Sequence, residues 1–403
     1  MDDRRMGARF HLTGRQAKQM SKKLHILLPP RERCTPQASG AIALVVQCFH
    51  KVSKYRSEIQ IYGGPQAEKF DNVQYTTIEP SWPRFSGLTH DFAVKTARKI
   101  PDSIETYVEI HNRVQILQEF RRKHQYSRLV IYLHNDPVTI QGLTTPEGRE
   151  QVIKIADAVI CVSEYVRSRF LEGLNISASK QVHTVLNAVD STAYTPPLER
   201  KSQQQILYVG RIVPEKGVLQ LAKALVEILP RYPEWRATFI GACRHGSTKA
   251  TSYERKVRKL LSSVSMQVDW LGQMPNRSVQ RQMHDAAIVV SPSICPEALG
   301  LVLLEAMVNG CAVIGSGRGG MSEVMGNVGV VIDPESPSSI CQSLKKFMSD
   351  PEYLDNKREQ GYLHACQHFD IKKQVHLLDD LRDYLLKDTT SSKKSIPSST
   401  LQS

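Results

Sequence analysis

Long apolar runs are missing from this chain of 403 residues. No stretch approaches the ~18 unbroken apolar residues of a membrane-spanning helix, and no apolar segment near the start reads as a secretory signal. Cysteine is present without a pattern. The eight at positions 34, 48, 161, 243, 295, 311, 341 and 366 form no C-x-x-C pair or other metal-like spacing. A zinc site and a disulfide framework are therefore not expected; reduced thiols in a cytoplasmic protein are. No D-x-D pair stands where it could hold a divalent ion, so no metal site is expected either. Aromatic residues make up 7% of the chain, with no stacking cluster and no recognisable nucleic-acid-reading motif. That absence argues against a nucleic-acid surface, which charge alone would suggest.

What is there begins with charge. Lys and Arg number 53 against 40 Asp and Glu, a formal net of +13. Such a surplus suits an anionic partner: a phosphorylated substrate, a phospholipid surface or a polyanion. Residues 1–23 read as a disordered basic lead-in, with Met20 an alternative start, and 387–403 as a disordered tail rich in Ser, Thr and Lys. Between them 41% apolar residues supply enough for two cores. Short apolar strands alternate with helical stretches from Leu24 to Leu186, and a second such series runs from Gln205 to Ile332. This rhythm implies α/β domains built on parallel sheets covered on both faces. The expected division is 24–198 and 199–370, joined near Pro196-Pro197. A helix over 371–386 would pack back on the first half. In such sheets ligands bind beyond the carboxyl ends of the strands.

Three groups of residues carry chemistry. The run Pro296-Glu297-Ala298-Leu299-Gly300-Leu301-Val302-Leu303-Leu304-Glu305 sets two acids eight apart with no other polar side chain between them. On one helix they would share a face, ~12 Å apart. The helix start would offer free N–H groups to an anion. A sugar nucleotide has this alternation of polyol, diphosphate and polyol. In Gly210-Arg211-Ile212-Val213-Pro214-Glu215-Lys216-Gly217 a strand ends in glycine and two cations follow. Arg211 offers a planar fork to phosphate, and Lys216 a mobile point charge. Gly315-Ser316-Gly317-Arg318-Gly319-Gly320 is formally G-x-G-x-x-G. A nicotinamide reading needs a long helix after it and an acid further on. Gly326-Asn327 and Asp333 come too early for that. In the first half, His111 and His134 each follow an apolar strand.

Together these motifs, with the loop Gly319-Gly320-Met321-Ser322-Glu323-Val324, resemble retaining glycosyltransferases of family 4, the glycosyl transferases group 1 type. The resemblance is strongest over 205–335. It weakens through Val162-Ser163-Glu164 and Leu186-Asn187-Ala188-Val189-Asp190, where an alanine replaces the family's usual glycine. It implies the GT-B fold, two Rossmann-like doubly wound domains facing a central cleft. It also implies a hexosyltransferase acting on a UDP- or GDP-linked sugar, with no other cofactor. Arg211 and Lys216 would hold the diphosphate, Glu297 the sugar hydroxyls beside the backbone of Ala298, Leu299 and Gly300, and Glu305 the ribose. Leu271, Gly272 and Gln273 would flank the base, and Gly40 would admit donor phosphates from the other side. His134 would lie at the donor sugar. His111, Asp136, Arg244 and His245 would be acceptor contacts.

The acceptor is expected to be a saccharide or glycolipid, as in lipopolysaccharide synthesis. Arg113, Arg121, Arg122, Lys123 and Arg128 would form a face toward an anionic membrane on its cytoplasmic side. The alternatives are a sugar-nucleotide epimerase of the same fold and an NAD-dependent oxidoreductase.

Overall fold

The computed structural model describes residues 23–35, 39–66, 68, 72–82, 87–194, 202–243 and 250–387. The lead-in, the tail beyond 387, the junction at 198, and Arg244 and His245 lie outside the described residues.

The first half contains β1 (Lys23–Leu27), α1 (Ala41–Val52), β2 (Ile59–Gly63), β3 (Tyr75–Thr77), α2 (Leu88–Lys99), β4 (Thr106–His111), α3 (Val114–Lys123), β5 (Arg128–Leu133), α4 (Pro146–Ile155), β6 (Ala158–Cys161), α5 (Glu164–Leu171) and β7 (Val182–Thr184). The second half contains β8 (Gln205–Val209), α6 (Val218–Ile228), β9 (Arg236–Ile240), α7 (Ser252–Leu261), β10 (Val268–Gly272), α8 (Asn276–Asp285), β11 (Ile288–Ser291), α9 (Leu301–Val308), β12 (Ala312–Gly315), α10 (Met321–Met325), β13 (Val330–Val331), α11 (Pro337–Ser349), α12 (Pro351–His368) and α13 (Ile371–Lys387). The strands form two sheets, ordered β3-β2-β1-β4-β5-β6-β7 and β10-β9-β8-β11-β12-β13. Every strand pairing in both is parallel.

The sequence explains these elements. Val130, Ile131, Val159, Ile160, Val289 and Val290 are fully buried, because helices cover both faces of each sheet and leave no side for water. Strand order reverses between β1 and β4, and again between β8 and β11. At such a switch point neighbouring loops diverge and open a crevice. The two crevices fix where chemistry can happen.

The chain also carries α11 and α12, which the sequence reading did not specify. The last helix, α13, leaves the second half: Ile371, Val375, Leu378 and Leu385 are buried in the core of the first. Two backbone bonds tie this return to the outward passage. Val189 N–H donates to Phe369 O at 3.0 Å, and Ile371 N–H donates to Val189 O at 3.1 Å.

The basic face expected along α3 is not a free one. Arg121 and Arg128 are buried. Arg121 bonds Asp157 at 2.7 Å and Ile155 O at 2.8 Å, and Arg128 donates to Leu385 O. Arg122 and Lys123 both pair with Glu119 at 2.8 Å. Arg121 and Arg128 thus spend their charge inside the fold, while Arg122 stays half exposed beside Glu119.

Candidate active site

The second-half crevice forms where the loops after β8 and β11 meet. Gly217 has a left-handed backbone, φ 66°, which suits glycine. A Cβ there would lie 1.9 Å from Pro292 O, so only glycine lets the loops touch. Ile294 N–H and Cys295 N–H donate to Glu215 O at 2.9 and 3.3 Å. The contact brings Lys216 onto Glu297, 81 residues along the chain, in a close ion pair. Ser293 Oγ donates to the same carboxylate oxygen. Both Lys216 and Glu297 remain about one-fifth exposed, within reach of a ligand. Arg211 is more open and pairs with Glu215 at 3.3 Å.

The glycine-rich loop packs against this centre. Gly320 N–H donates to Glu297 O at 2.8 Å, and Glu297 N–H to Arg318 O at 3.2 Å. Arg318 donates to Ile294 O at 2.6 Å. Gly319 is also left-handed, and a Cβ on it would meet Glu297 O at 2.4 Å. These glycines serve close passage of one loop over another. The following helix, α10, has five residues, too short for a dinucleotide fingerprint.

One geometric expectation is corrected. Glu297 and Glu305 do not share a helix, because α9 begins only at Leu301, after a left-handed Gly300. Glu297 sits in an isolated bridge with Gly319. Glu305 lies in the second turn of α9. Burial pushes its carboxyl up to about 7, against a hydrogen bond from Gln280 that lowers it. Asn309 Nδ2 donates to Gln280 Oε1 at 2.8 Å and orients that amide. Thus Arg211, Lys216 and Glu297 gather in one loop cluster, while Glu305 stands apart along α9. Leu299 is buried; Ala298 and Leu301 pack against the first-half core. Leu271 and Gly272 end β10, with Gly272 O accepting from Gly241 N–H at 2.7 Å, and Gln273 follows.

The first-half crevice is built differently. His111 closes β4, and His134 follows β5 directly. Their rings stack, and His111 Nδ1 lies 2.7 Å from His134 Nε2. Tyr132 stacks on both. Asn112 adopts φ 56°, the one left-handed non-glycine among the described residues. It joins the two strand ends, accepting from His134 N–H at 2.8 Å and donating to Asn135 at 2.6 Å. Burial, then the proximity of His111, holds His134 well below the ordinary histidine range. The ring is neutral near pH 7.

Behind the rings sits Glu109, 2% exposed, its Oε1 3.2 Å from His111 Nε2. Burial alone would raise its carboxyl. The charge of Arg382, 2.8 Å away, and the nearby His111 ring reverse that and hold it at about 2.

Two expected contacts come out otherwise. The approach to Gly40 is occupied by Glu32, whose Oε1 would lie 2.1 Å from a Cβ there and accepts from Ala43 N–H at 3.3 Å. Glu32 thus takes the α1 N-terminus that an incoming anion would use. Asp136 is engaged by Val138 N–H, Tyr165 OH at 2.7 Å and Arg169. It braces the loop and does not reach out from it. A cavity of about 540 Å³ remains nearby, lined by Glu32, Asn112, Arg113, Asn135, Thr139 and Gln141 among others.

The halves meet beside these clusters. Ser163 Oγ donates to Ala298 O, and Glu323 accepts from Glu164 N–H at 2.9 Å and Tyr165 N–H at 2.7 Å. Sequence reasoning missed Glu32, Glu109, Asn112 and Arg382. Only Asn112, directly after His111 at a strand end, carried a local signal. Among the described residues no group of His, Cys, Asp and Glu is arranged to hold a metal ion. None of the helices searched there is long and apolar enough to cross a membrane.

Residues 192–364 match the family model "Glycosyl transferases group 1". The chain is 26% identical over 294 residues to the lipopolysaccharide 1,2-N-acetylglucosaminetransferase of Salmonella typhimurium, covering 69% of this chain and 73% of that protein. It is 23% identical over 344 residues to spore coat protein SA of Bacillus subtilis, covering 80% and 87%. In three dimensions it is similar to Anabaena Alr3699/HepE, solved in complex with UDP and glucose. That likeness has a TM-score of 0.72 at 18% identity and covers 90% of this chain and all of the other. Residues 192–364 therefore carry a glycosyl transferases group 1 domain, within a chain whose two Rossmann-like halves share the GT-B fold of its structural neighbours.

Proposed function

We propose that this chain is a nucleotide-sugar-dependent glycosyltransferase that moves a hexose to a saccharide hydroxyl with the anomeric configuration kept. The observation that carries the reading is the contact of Lys216 with Glu297 at the β8/β11 switch point. A cation for phosphate and an acid for hydroxyls sit side by side where an open sheet binds its ligands. In this reading Arg211 and Lys216 take the diphosphate. Their charge stabilises the leaving nucleotide as the C1–O bond breaks, so they are proposed to do this without a metal ion. Glu297 turns from Lys216 toward sugar hydroxyls, flanked by the backbone of Ala298, Leu299 and Gly300. Glu305 binds the ribose, and Leu271, Gly272 and Gln273 border the base. His134 faces the donor sugar from the opposite wall.

Glu297 is already bonded to Lys216 and Ser293, which suits a hydroxyl-binding role better than a covalent nucleophile. We favour departure and attack on one face of the sugar, with the leaving phosphate accepting the acceptor's proton. A lipid-linked acceptor, met at the cytoplasmic side of a membrane, is part of the proposal. It rests on the relative named for lipopolysaccharide, since α3 presents no free basic face.

The test is thermal-shift screening against UDP, GDP and ADP sugars, followed by product analysis with a labelled donor. Stabilisation by one nucleotide class and a glycosylated product support the reading. An epimerised nucleotide with no transfer, or no stabilisation by any donor, defeats it.

A further inference from the structure

A line of buried polar groups runs from the C-terminal helix to the first-half crevice. Asp379 accepts from Ser53 Oγ at 2.8 Å, from Lys54 N–H at 2.9 Å and from Arg382 at 3.0 Å. Arg382, 1% exposed, donates its other terminal nitrogen to Glu109 Oε2 at 2.8 Å. Glu109 Oε1 faces His111 Nε2 at 3.2 Å, and His111 Nδ1 meets His134 Nε2 at 2.7 Å. Arg382 and Glu109 are 273 residues apart. A guanidinium and carboxylates fully withdrawn from water are costly unless each is paired.

The proton positions follow from the partners. Glu109 is ionised and can only accept. We assign the hydrogen of a neutral His111 to Nε2, which faces Glu109 Oε1 at 3.2 Å and has no other acceptor beside it, leaving Nδ1 as acceptor. His134 must then supply the hydrogen between the rings from Nε2. Its own Nδ1 is left with a lone pair, and it is the one ring nitrogen of the pair free for a ligand.

We propose that Glu109 and Arg382 are positioning residues that hold His111 and His134 in one proton arrangement, so that His134 presents a hydrogen-bond acceptor to a hydroxyl of the donor or acceptor sugar. The inference rests on the glycosyltransferase reading for the hydroxyl, but the proton arrangement itself does not. When the pair takes up one proton as pH falls, the bridging hydrogen comes from His111 Nδ1, held against Glu109. His134 then carries its hydrogen on Nδ1 and changes from acceptor to donor. The charged and titratable groups around the rings are Glu109 and Tyr107 on β4, Tyr132 on β5, and Asp379 and Arg382 on α13. Glu32 and Arg113 stand on the loop side. Only Glu109 faces a ring nitrogen of His111 from behind, so it is the group that selects which nitrogen carries the hydrogen.

The experiment uses the full chain with isotope-labelled histidine and reads ring tautomers by nitrogen–proton correlation across a pH titration. In the native protein both rings should carry Nε2–H at neutral pH and change together as one proton enters. Glu109→Gln should move that change to lower pH by roughly one unit, because it removes the compensating charge. In turnover assays the same variant should lower kcat about ten- to a hundredfold while donor KM shifts less than about threefold. The acid limb of its pH profile should move down by the same amount as the ring titration. Glu109→Asp should recover part of the loss. Rings that titrate independently, or a Glu109→Gln protein with an unmoved titration and acid limb, overturn the proposal. If Glu109→Gln does not fold, the native titration and His111→Gln, which cuts the line but leaves Arg382 and Glu109 paired, still decide it. If no nucleotide sugar is bound or consumed, the proposed function fails while the ring titration still stands or falls by itself.

Discussion

The two walls of the crevice are held in opposite ways. On the second-half wall, Arg211, Lys216, Ser293 and Glu297 sit on two short loops and meet across partly exposed surface. On the first-half wall, His111 and His134 rest on Glu109, which Arg382 and Asp379 of α13 hold in turn, these three nearly excluded from water. The first kind of wall can rearrange when a ligand arrives, since Lys216 and Glu297 keep contact with water and the exposed Arg211–Glu215 pair contributes ~1 kcal/mol or less. The second cannot, because a buried charge that loses its partner is left uncompensated. One wall is built to exchange partners with a substrate, and the other to hold its geometry against it.

Arg382→Met should sharpen this contrast most. It leaves Glu109 and Asp379 buried without their cation, and we expect a loss of about 3–5 kcal/mol in stability, read by denaturant titration. Lys216→Ala should do the reverse. Activity should fall about 10²–10³-fold in a nucleotide-release assay, while the melting temperature stays close to that of the native chain. A Lys216→Ala protein as unstable as Arg382→Met would erase the distinction.

The third prediction concerns Glu305, whose carboxyl is raised to about 7 from an ordinary 4.5. Between those values the folded state holds the proton more tightly than the unfolded one, so stability falls as pH rises through the window. Glu305→Gln should therefore be the more stable protein at pH 8, by on the order of 2 kcal/mol. The two should converge below pH 4.5. Equal unfolding curves at both pH values would show that Glu305 is not desolvated. The smallest effect belongs to the seam. Glu323→Ala removes a carboxylate that caps α5 from the other half and should cost about 1 kcal/mol in a melting experiment, with nucleotide affinity unchanged.

Much of the second-half wall was legible because its chemistry is local. The Gly210–Gly217 run announces a strand end, two cations and a tight turn, and the Pro296–Glu305 run two acids on either side of a glycine, each within ten residues. Even there the spacing of Glu297 and Glu305 overstated the helix, since nothing in the pattern shows that Gly300 is left-handed. The alternation of strands and helices was equally plain, as fully apolar strands admit few other arrangements. The first-half wall was only half legible. His111 and His134 stood out at strand ends, but Glu109 looks like an ordinary acid within an apolar strand. Arg382 lies in a helix rich in charge. Only the folded chain brings them together. Arg121 and Arg128 misled for the same reason: Asp157 and the end of α13, which bury them, are distant in sequence.

The backbone pairing of Val189 with Asp370 lays a stretch near the end of the first half beside the point where the chain returns to it. A turn of one half about that pairing would leave both sheets whole. It would release Ser163 from Ala298 and Glu323 from α5, and it would also lift Ala298 and Leu301 off the first-half core.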